Sequence, residues 1–298
     1  SDDSTNGILT VTTSGTGRGG RFVSLTSVEN ARYSDNGSDW TEVALPFNAT
    51  MTSLISGNNR FIATAENRDN VASSLDGVIW SEVALPLNAV WKNGVYGNGK
   101  FVLVATDTDV VATSADGITW ETASIPDDTD GAPDSTTSVW TSITYGKGKY
   151  VAISSSDGAT ASSTDGITWV RHDSAIDFNP DYIAYGNNRF VAVASADGEN
   201  AYSFDGITWY TNADTFSVTS GTTFEVTDIK YANGVFVVIG IDTGAATDIV
   251  FTSEDGVLWS QRAMPSIKSW GALTYGNNQW FVKASAASTD AVAILNVG

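Results

Sequence analysis

The chain has 298 residues, 42% hydrophobic and 11% aromatic, with 28 Gly, 6 Pro and no Cys, so it can bury a large core and holds without disulfides or thiolate metal sites. Its formal charge of −19, from 34 acidic and 15 basic residues, opposes contact with nucleic acid or a bare anionic membrane, and no apolar run reaches the roughly 18 residues of a bilayer span. The opening Ser1-Asp2-Asp3-Ser4 does not read as a signal peptide.

In chain order, Ile8 to Ser14 reads as a first strand, and Gly15 to Phe22 as a loose copy of a turn motif that recurs six times. The clearer copies are Gly57-Asn58-Asn59-Arg60-Phe61, Gly97-Asn98-Gly99-Lys100-Phe101, Gly146-Lys147-Gly148-Lys149-Tyr150, Gly186-Asn187-Asn188-Arg189-Phe190, Ala232-Asn233-Gly234-Val235-Phe236 and Gly276-Asn277-Asn278-Gln279-Trp280. A second motif alternates with the first. Its copies are Ser74-Leu75-Asp76-Gly77-Val78-Ile79-Trp80, Ser114-Ala115-Asp116-Gly117-Ile118-Thr119-Trp120, Ser163-Thr164-Asp165-Gly166-Ile167-Thr168-Trp169, Ser203-Phe204-Asp205-Gly206-Ile207-Thr208-Trp209 and Ser253-Glu254-Asp255-Gly256-Val257-Leu258-Trp259. Asp-Gly between alternating apolar runs predicts a tight hairpin entering a strand whose Trp is buried. Tyr33-Ser34-Asp35-Asn36-Gly37-Ser38-Asp39-Trp40 is a degenerate copy, aligned through Asp35, Gly37 and Trp40, with Tyr33 at the Ser place.

The tryptophans of this second motif are spaced 40 residues apart from Trp40 to Trp80 to Trp120, then 49, 40 and 50 to Trp169, Trp209 and Trp259. A period near forty with several short strands per unit predicts a propeller, and seven turn motifs predict seven blades. The expected fold is all-β: a seven-bladed β-propeller, 1–298 as a single domain, with mostly four-stranded antiparallel blades. In the fourth blade Trp140 to Tyr145 is the inner strand, Lys149 to Ser154 the second, Ala159 to Ser163 the third and Thr168 to His172 the outer. The last blade lacks the second motif. Ala291 to Val297 reads as its third strand, and residues 1 to 6 are expected to add its edge strand, because an open edge is a liability.

The second motif resembles the Asp-box, or BNR, repeat of sialidase-like β-propellers, whose pattern is Ser-x-Asp-x-Gly-x-x-Trp. The resemblance spans about residues 10 to 285, and five copies are one residue shorter between Asp and Gly. It implies a structural role for Asp76, Asp116, Asp165, Asp205 and Asp255, which tie down turns, and for Trp80, Trp120, Trp169, Trp209 and Trp259, which pack between strands on the face away from an active site. Sialidase chemistry needs three arginines on one substrate carboxylate. Arg21, Arg60 and Arg189 occupy a single repeat position on the box face, so that chemistry is not expected and no catalytic residue is assigned. The repeat style also resembles bacteriophage virion proteins and bacterial surface proteins.

Up-and-down strands put the turns after the first and third strands on one face, and the second turns and the crossovers on the other. The three longest departures from the period, Asp127 to Ser138, Asn212 to Val226 and Asp242 to Asp248, share that second face, which marks it as a working or docking surface. It collects Glu66, Asp69, Asp107, Asp109, Asp127, Asp128, Asp130, Asp134, Asp157, Asp197, Glu199, Asp242 and Asp248, while the box face carries Arg18, Arg21, Arg60, Lys100, Lys147, Lys149 and Arg189. Asp107, Asp109, Asp128 and Asp130 are candidate ligand-binding carboxylates. The run Asp127-Asp128-Thr129-Asp130-Gly131 invites calcium, yet Pro126 stands at the first ligand place of an EF-hand loop and no Glu closes it, so a solvated loop is favoured and no cofactor is expected.

Trp91, Trp140 and Trp270 each stand five residues before Tyr96, Tyr145 and Tyr275, with Met51, Pro180 and Val226 at matching places. Exposed at the channel mouth they would be stacking platforms for sugar rings; buried, they would be packing between blades. Gly15-Thr16-Gly17-Arg18-Gly19-Gly20 fits G-x-G-x-x-G but precedes a strand, so it is a turn. His172 is the only histidine, which excludes multi-histidine metal sites. The sequence reading is a non-enzymatic structural or binding propeller, a phage virion component serving assembly or host-surface recognition, located in a virion or at a cell surface. Its expected partners are other virion or surface proteins and a host glycan or receptor, with no nucleic acid and no membrane insertion. The alternatives are a lectin, or a glycoside hydrolase or lyase using carboxylates at the channel mouth.

Overall fold

In the computed structural model the chain forms seven antiparallel sheets set around a ring. The structure describes residues 9–12, 21–26, 29–126, 138–173, 175–196, 198–212, 216, 224–242, 249–264, 270–284 and 292–295. Blade 1 holds β1 (Leu9–Thr12), β2 (Arg21–Leu25), β3 (Asn30–Ser34) and β4 (Thr41–Ala44); blade 2 holds β5 (Met51–Gly57), β6 (Arg60–Ala65), β7 (Arg68–Ser74) and β8 (Ser81–Ala89). Blade 3 is β9 (Trp91–Gly97), β10 (Lys100–Ala105), β11 (Val110–Ser114) and β12 (Glu121–Ser124); blade 4 is β13 (Trp140–Gly146), β14 (Lys149–Ser154), β15 (Thr160–Ser163) and β16 (Val170–His172). Blade 5 is β17 (Tyr182–Gly186), β18 (Arg189–Val193), β19 (Asn200–Ser203) and β20 (Trp209–Thr211); blade 6 is β21 (Phe224–Ala232), β22 (Val235–Asp242), β23 (Ile249–Ser253) and β24 (Ser260–Ala263). Blade 7 has three strands among the described residues, β25 (Trp270–Gly276), β26 (Gln279–Ala284) and β27 (Val292–Leu295). The expected edge strand from residues 1 to 6 lies outside the described residues, which contain no helix.

Burial explains the sequence pattern strand by strand. Second strands are covered on both sides by neighbouring blades, so Phe61 to Ala65 and Phe101 to Ala105 are continuously buried and read as unbroken small and apolar runs. Outer strands such as β12 are mostly exposed and carry charge. The turn between first and second strands has φ above zero at both central positions, as at Asn58 (46°) and Asn59 (55°) or Asn98 (44°) and Gly99 (79°), the geometry of a two-residue hairpin that Asn and Gly accommodate. At the start of several first strands a bulge shifts register, between Met51 and Ser53, Trp140 and Ser142, Val226 and Asp228, and Trp270 and Ala272.

The seven-residue box is one hairpin repeated. In blade 2, Asp76 Oδ1 accepts the amides of Val78 (2.8 Å) and Ile79 (2.9 Å), Ser74 Oγ accepts the Gly77 amide (2.8 Å), and Trp80 Nε1 donates to the Gly77 carbonyl (3.1 Å). Blade 1 corrects the alignment through Asp35 and Tyr33. There Asn36 Oδ1 accepts the Ser38 (2.8 Å) and Asp39 (2.9 Å) amides and Ser34 Oγ accepts the Gly37 amide (2.8 Å), so Ser34 and Asn36 hold the Ser and Asp places with the same short spacing.

The ring closes by packing of side chains. β1 lies beside β25 and β5. Phe22 of blade 1 meets Phe281 of blade 7 edge-on at 4.7 Å, and the buried Lys283 ammonium donates to the Leu25 carbonyl at 2.8 Å.

Candidate functional site

The box face is occupied by latches between blades. Arg21 donates to the Asp76 carbonyl (2.8 Å), Lys100 to the Asp165 carbonyl (3.1 Å), Lys147 to the Phe204 carbonyl (2.9 Å) and Arg189 to the Asp255 carbonyl. Each cation belongs to one blade and each carbonyl to the box of the next. Arg60 instead donates to Ser73 Oγ (2.7 Å). Arg21, Arg60 and Arg189 therefore sit at three separate blade junctions, each with its own protein acceptor, and do not converge on a substrate.

The candidate stacking tryptophans are corrected by their burial. Trp91, Trp140 and Trp270 are at most 1% exposed, so no ring face is open to a sugar. They fill the space between blades at the bulged strand starts. Trp91 Nε1 donates to the Arg68 carbonyl (3.2 Å), and Trp140 Nε1 to Asp109 Oδ1 (2.8 Å). Asp109 thus holds an indole through one carboxylate oxygen, and Asp107 Oδ1 accepts the Val90 amide (2.9 Å). Asp128, Asp130 and the rest of the candidate calcium run lie outside the described residues. Among the described residues no group of three or more His, Asp or Glu is placed to hold a metal.

A concave site that draws on most blades is the channel mouth on the crossover face. A cavity of about 270 Å³ lies among the starts of the inner strands of blades 2 to 7. Thr52, Thr141 and Thr227 form part of its wall at the bulges; Thr52 Oγ1 donates to the Trp91 carbonyl and Thr227 Oγ1 to the Trp270 carbonyl (2.7 Å), each tying a blade to the next. At that repeat place blades 3 and 5 have Lys92 and Asp181 instead. One residue on, where blades 2 and 4 have Ser53 and Ser142, blade 5 has Tyr182 and blade 6 Asp228. Two further on is Lys230, where blades 2 and 3 have Ile55 and Val95.

These departures interact. Asp228 accepts the Leu273 amide at 3.0 Å and lies 3.3 Å from the Lys230 ammonium. Burial pushes its carboxyl up, opposed by Lys230 and the amide. Burial likewise pushes the Tyr182 phenol up, reinforced by the charges of Asp228 and Asp181. Asp181 accepts the amide (2.7 Å) and hydroxyl (2.6 Å) of Ser195. Lys92 is exposed and has no carboxylate partner among the described residues. None of these five was singled out by the sequence reading. The usable signal was there: at positions where the repeat places Thr, Ser or an aliphatic residue, these blades carry charge or a phenol.

His172 lies on the outer strand of blade 4, its Nε2 3.0 Å from Ser162 Oγ. Burial lowers its pKa, with Lys149 adding to the effect. No carboxylate orients the ring among the described residues, so the pair lacks the third member of a nucleophilic triad.

Among curated proteins none matches this sequence. Several solved structures share the fold at low identity. Virginiamycin B lyase from Staphylococcus aureus is 14% identical with a TM-score of 0.76, over 98% of this chain and 94% of that one. YCF48 bound to D1 peptide is 15% identical with a TM-score of 0.68, over 94% and 89%, and BamB from Moraxella catarrhalis is 11% identical with a TM-score of 0.60, over 92% and 80%. At these identities the likeness establishes the fold alone. The model of the DUF6242 beta propeller domain matches residues 15–219, well over half the sequence, and the chain belongs to that family.

Proposed function

We propose that this propeller is a binding module rather than an enzyme, and that the crossover-face mouth of its channel receives a polar segment of a protein partner. The observation that carries the reading is the concentration of Lys92, Asp181, Tyr182, Asp228 and Lys230 in one cavity, at places where the repeat elsewhere has neutral residues. Both acids already have protein partners, Asp181 at Ser195 and Asp228 at Leu273 and Lys230, which suits recognition of polar groups better than a freely exchanging acid and base pair. A peptide-bound structure of YCF48, which has the same fold, supports a peptide as the kind of occupant. The box hairpins support relating these repeats to the Asp-box kind, and their likeness to virion and surface repeats supports placing the module in a virion or on a cell surface.

Cross-linking of purified particles with an amine-reactive reagent, read by mass spectrometry, tests this. Lys92 and Lys230 should link to a second polypeptide. Particles without this chain would remove the virion setting, and links confined to Lys100 and Lys147 on the box face would overturn the assignment of the binding face. A second reading, a lyase or hydrolase at the same mouth, is favoured by the raised carboxyl of Asp228 beside Tyr182, as a general acid requires. Turnover of a glycan or cyclic peptide that disappears in a folded Asp228→Asn variant would favour it over the binding module.

A further inference from the structure

We propose that the channel mouth binds a carboxylate of its peptide partner, held between the ammonium groups of Lys92 and Lys230. The inference rests on the channel-mouth reading and names the group that the mouth recognises. Lys92 and Lys230 are the only basic residues on the seven inner strands, and both line the cavity of about 270 Å³. Inner strands follow one another around the ring in the order β1, β5, β9, β13, β17, β21 and β25, so β9 with Lys92 and β21 with Lys230 stand on opposite sides of the channel. An anion entering the mouth therefore meets an ammonium from either side.

The hydrogen-bonding capacity left over in the wall has the same sense. Asp228 accepts the Leu273 amide on one oxygen (3.0 Å) and faces Lys230 with the other (3.3 Å). Asp181 Oδ2 takes both the amide and the hydroxyl of Ser195. Lys92 is exposed and has no carboxylate partner among the described residues. The Lys230 side chain is 53% exposed, and its ammonium has more donors than its contact with Asp228 uses. Tyr182 adds a phenol hydroxyl to the same wall. Donors are thus in surplus, and two of the groups that carry them are charged.

A carboxylate matches that surplus, because it accepts from several donors at once and its hydrogen bonds to charged donors are about twice as strong as those between neutral groups. A cationic side chain would instead meet two ammonium groups and two carboxylates already engaged. The cavity is smaller than the roughly 300–1,000 Å³ of a drug-sized ligand site, so it suits one side chain or one chain end.

Such a carboxylate belongs to an Asp or Glu side chain or to a C-terminus, and protection of the lysines from an amine-reactive reagent, read by mass spectrometry, separates the two. The probes are acetyl-Gly-Glu-Gly-amide, acetyl-Gly-Gly-Gly with a free carboxylate and acetyl-Gly-Gln-Gly-amide, each at about 10 mM, which fills about nine tenths of a site whose dissociation constant is about 1 mM. At least one acidic peptide should slow the labelling of Lys92 and Lys230 about tenfold and leave Lys100 and Lys147 on the box face unchanged. Protection by the first peptide alone assigns a side-chain carboxylate, by the second alone a chain end, and by both the carboxylate itself. Lys92→Gln should abolish the protection of Lys230, whereas Lys92→Arg, which keeps the charge, should retain it. Undiminished protection of Lys230 in Lys92→Gln overturns the proposal. Equal protection by the glutamine peptide also overturns it and leaves the mouth as the binding face. Protection by none of the three overturns it too, and the cross-linking of particles then decides the mouth by itself.

Discussion

Asp165 accepts the amides of Ile167 (2.8 Å) and Thr168 (2.7 Å) and the Ser163 hydroxyl (3.0 Å) on one carboxylate oxygen. The Thr168 and Ile167 amides hold its carboxyl at about 2, and Asp116 is lowered for the same reason; Asp76, Asp205 and Asp255 are lowered too, although burial opposes it. A folded value below the unfolded one, about 3.9 for Asp, stabilises the fold fully above that pH and ceases to do so as pH falls through the folded value. The share of thermal stability that these box carboxyls supply, read as the difference between the wild-type chain and its box Asp→Asn variants, should thus be constant from neutral down to about pH 4 and fall towards about pH 2. At neutral pH Asp165→Ala should cost about 1–2 kcal/mol through the lost turn contacts, whereas Asp165→Asn should retain most of the stability, because Asn36 already holds the blade 1 turn with an amide oxygen. Denaturant titration separates these outcomes; an equal loss in both variants would show that charge, not turn geometry, is what matters. The Ser-x-Asp-Gly spacing made five of these turns legible in the sequence. The sixth was misaligned because Asp35 drew the match, while the turn depends on an acceptor oxygen that Asn supplies equally well.

Among the elements, the first strand of each blade is shaped by contacts that the repeat alone does not reveal. A Cβ at Gly97 would lie 2.1 Å from Tyr145 Cγ, and at Gly146 it would lie 2.0 Å from Tyr185 Cγ, so the tyrosine ending one inner strand rests on the glycine ending the strand before. The same tyrosine packs on the ring that opens its own second strand, as Tyr145 does on Tyr150 at 4.8 Å. Gly97→Ala should therefore destabilise by about 1–3 kcal/mol through overpacking. Adding Tyr145→Ser should recover part of that loss, because blade 2 tolerates Ser56 at this place. A double-mutant cycle from denaturant unfolding measures the coupling, and simple additivity would refute the contact. The Tyr-Gly pairs were visible in the repeat, but which Tyr meets which Gly depends on blade order in space. The same gap misled the reading of Trp91, Trp140 and Trp270. A bulge at the strand start decides whether a residue there faces the channel or the neighbouring blade, and one-residue shifts are invisible to a period of forty.

At the scale of the whole ring, seven repeats made the architecture legible, while the channel mouth was hidden because its residues are exceptions scattered over three blades and brought together only by closure. Within each blade strands share main-chain hydrogen bonds, whereas among the described residues blades 7 and 1 meet through contacts that include Phe22 on Phe281, Gly37 under Phe281 and Lys283 on the Leu25 carbonyl. Phe281 is 2% exposed, and Phe281→Ala should cost about 3–5 kcal/mol, the range also expected for the equally buried Phe101→Ala in the middle of the chain. The two variants should differ in where the loss appears. Phe281→Ala separates the first blade from the last, so amide exchange should accelerate in β2 and β26 well before β10 or β14. Phe101→Ala leaves the seam intact and should loosen blade 3 and its neighbours instead. Hydrogen exchange resolved by strand distinguishes the two, and acceleration spread evenly over all seven blades in Phe281→Ala would mean that the ring opens as one cooperative unit with no weak seam.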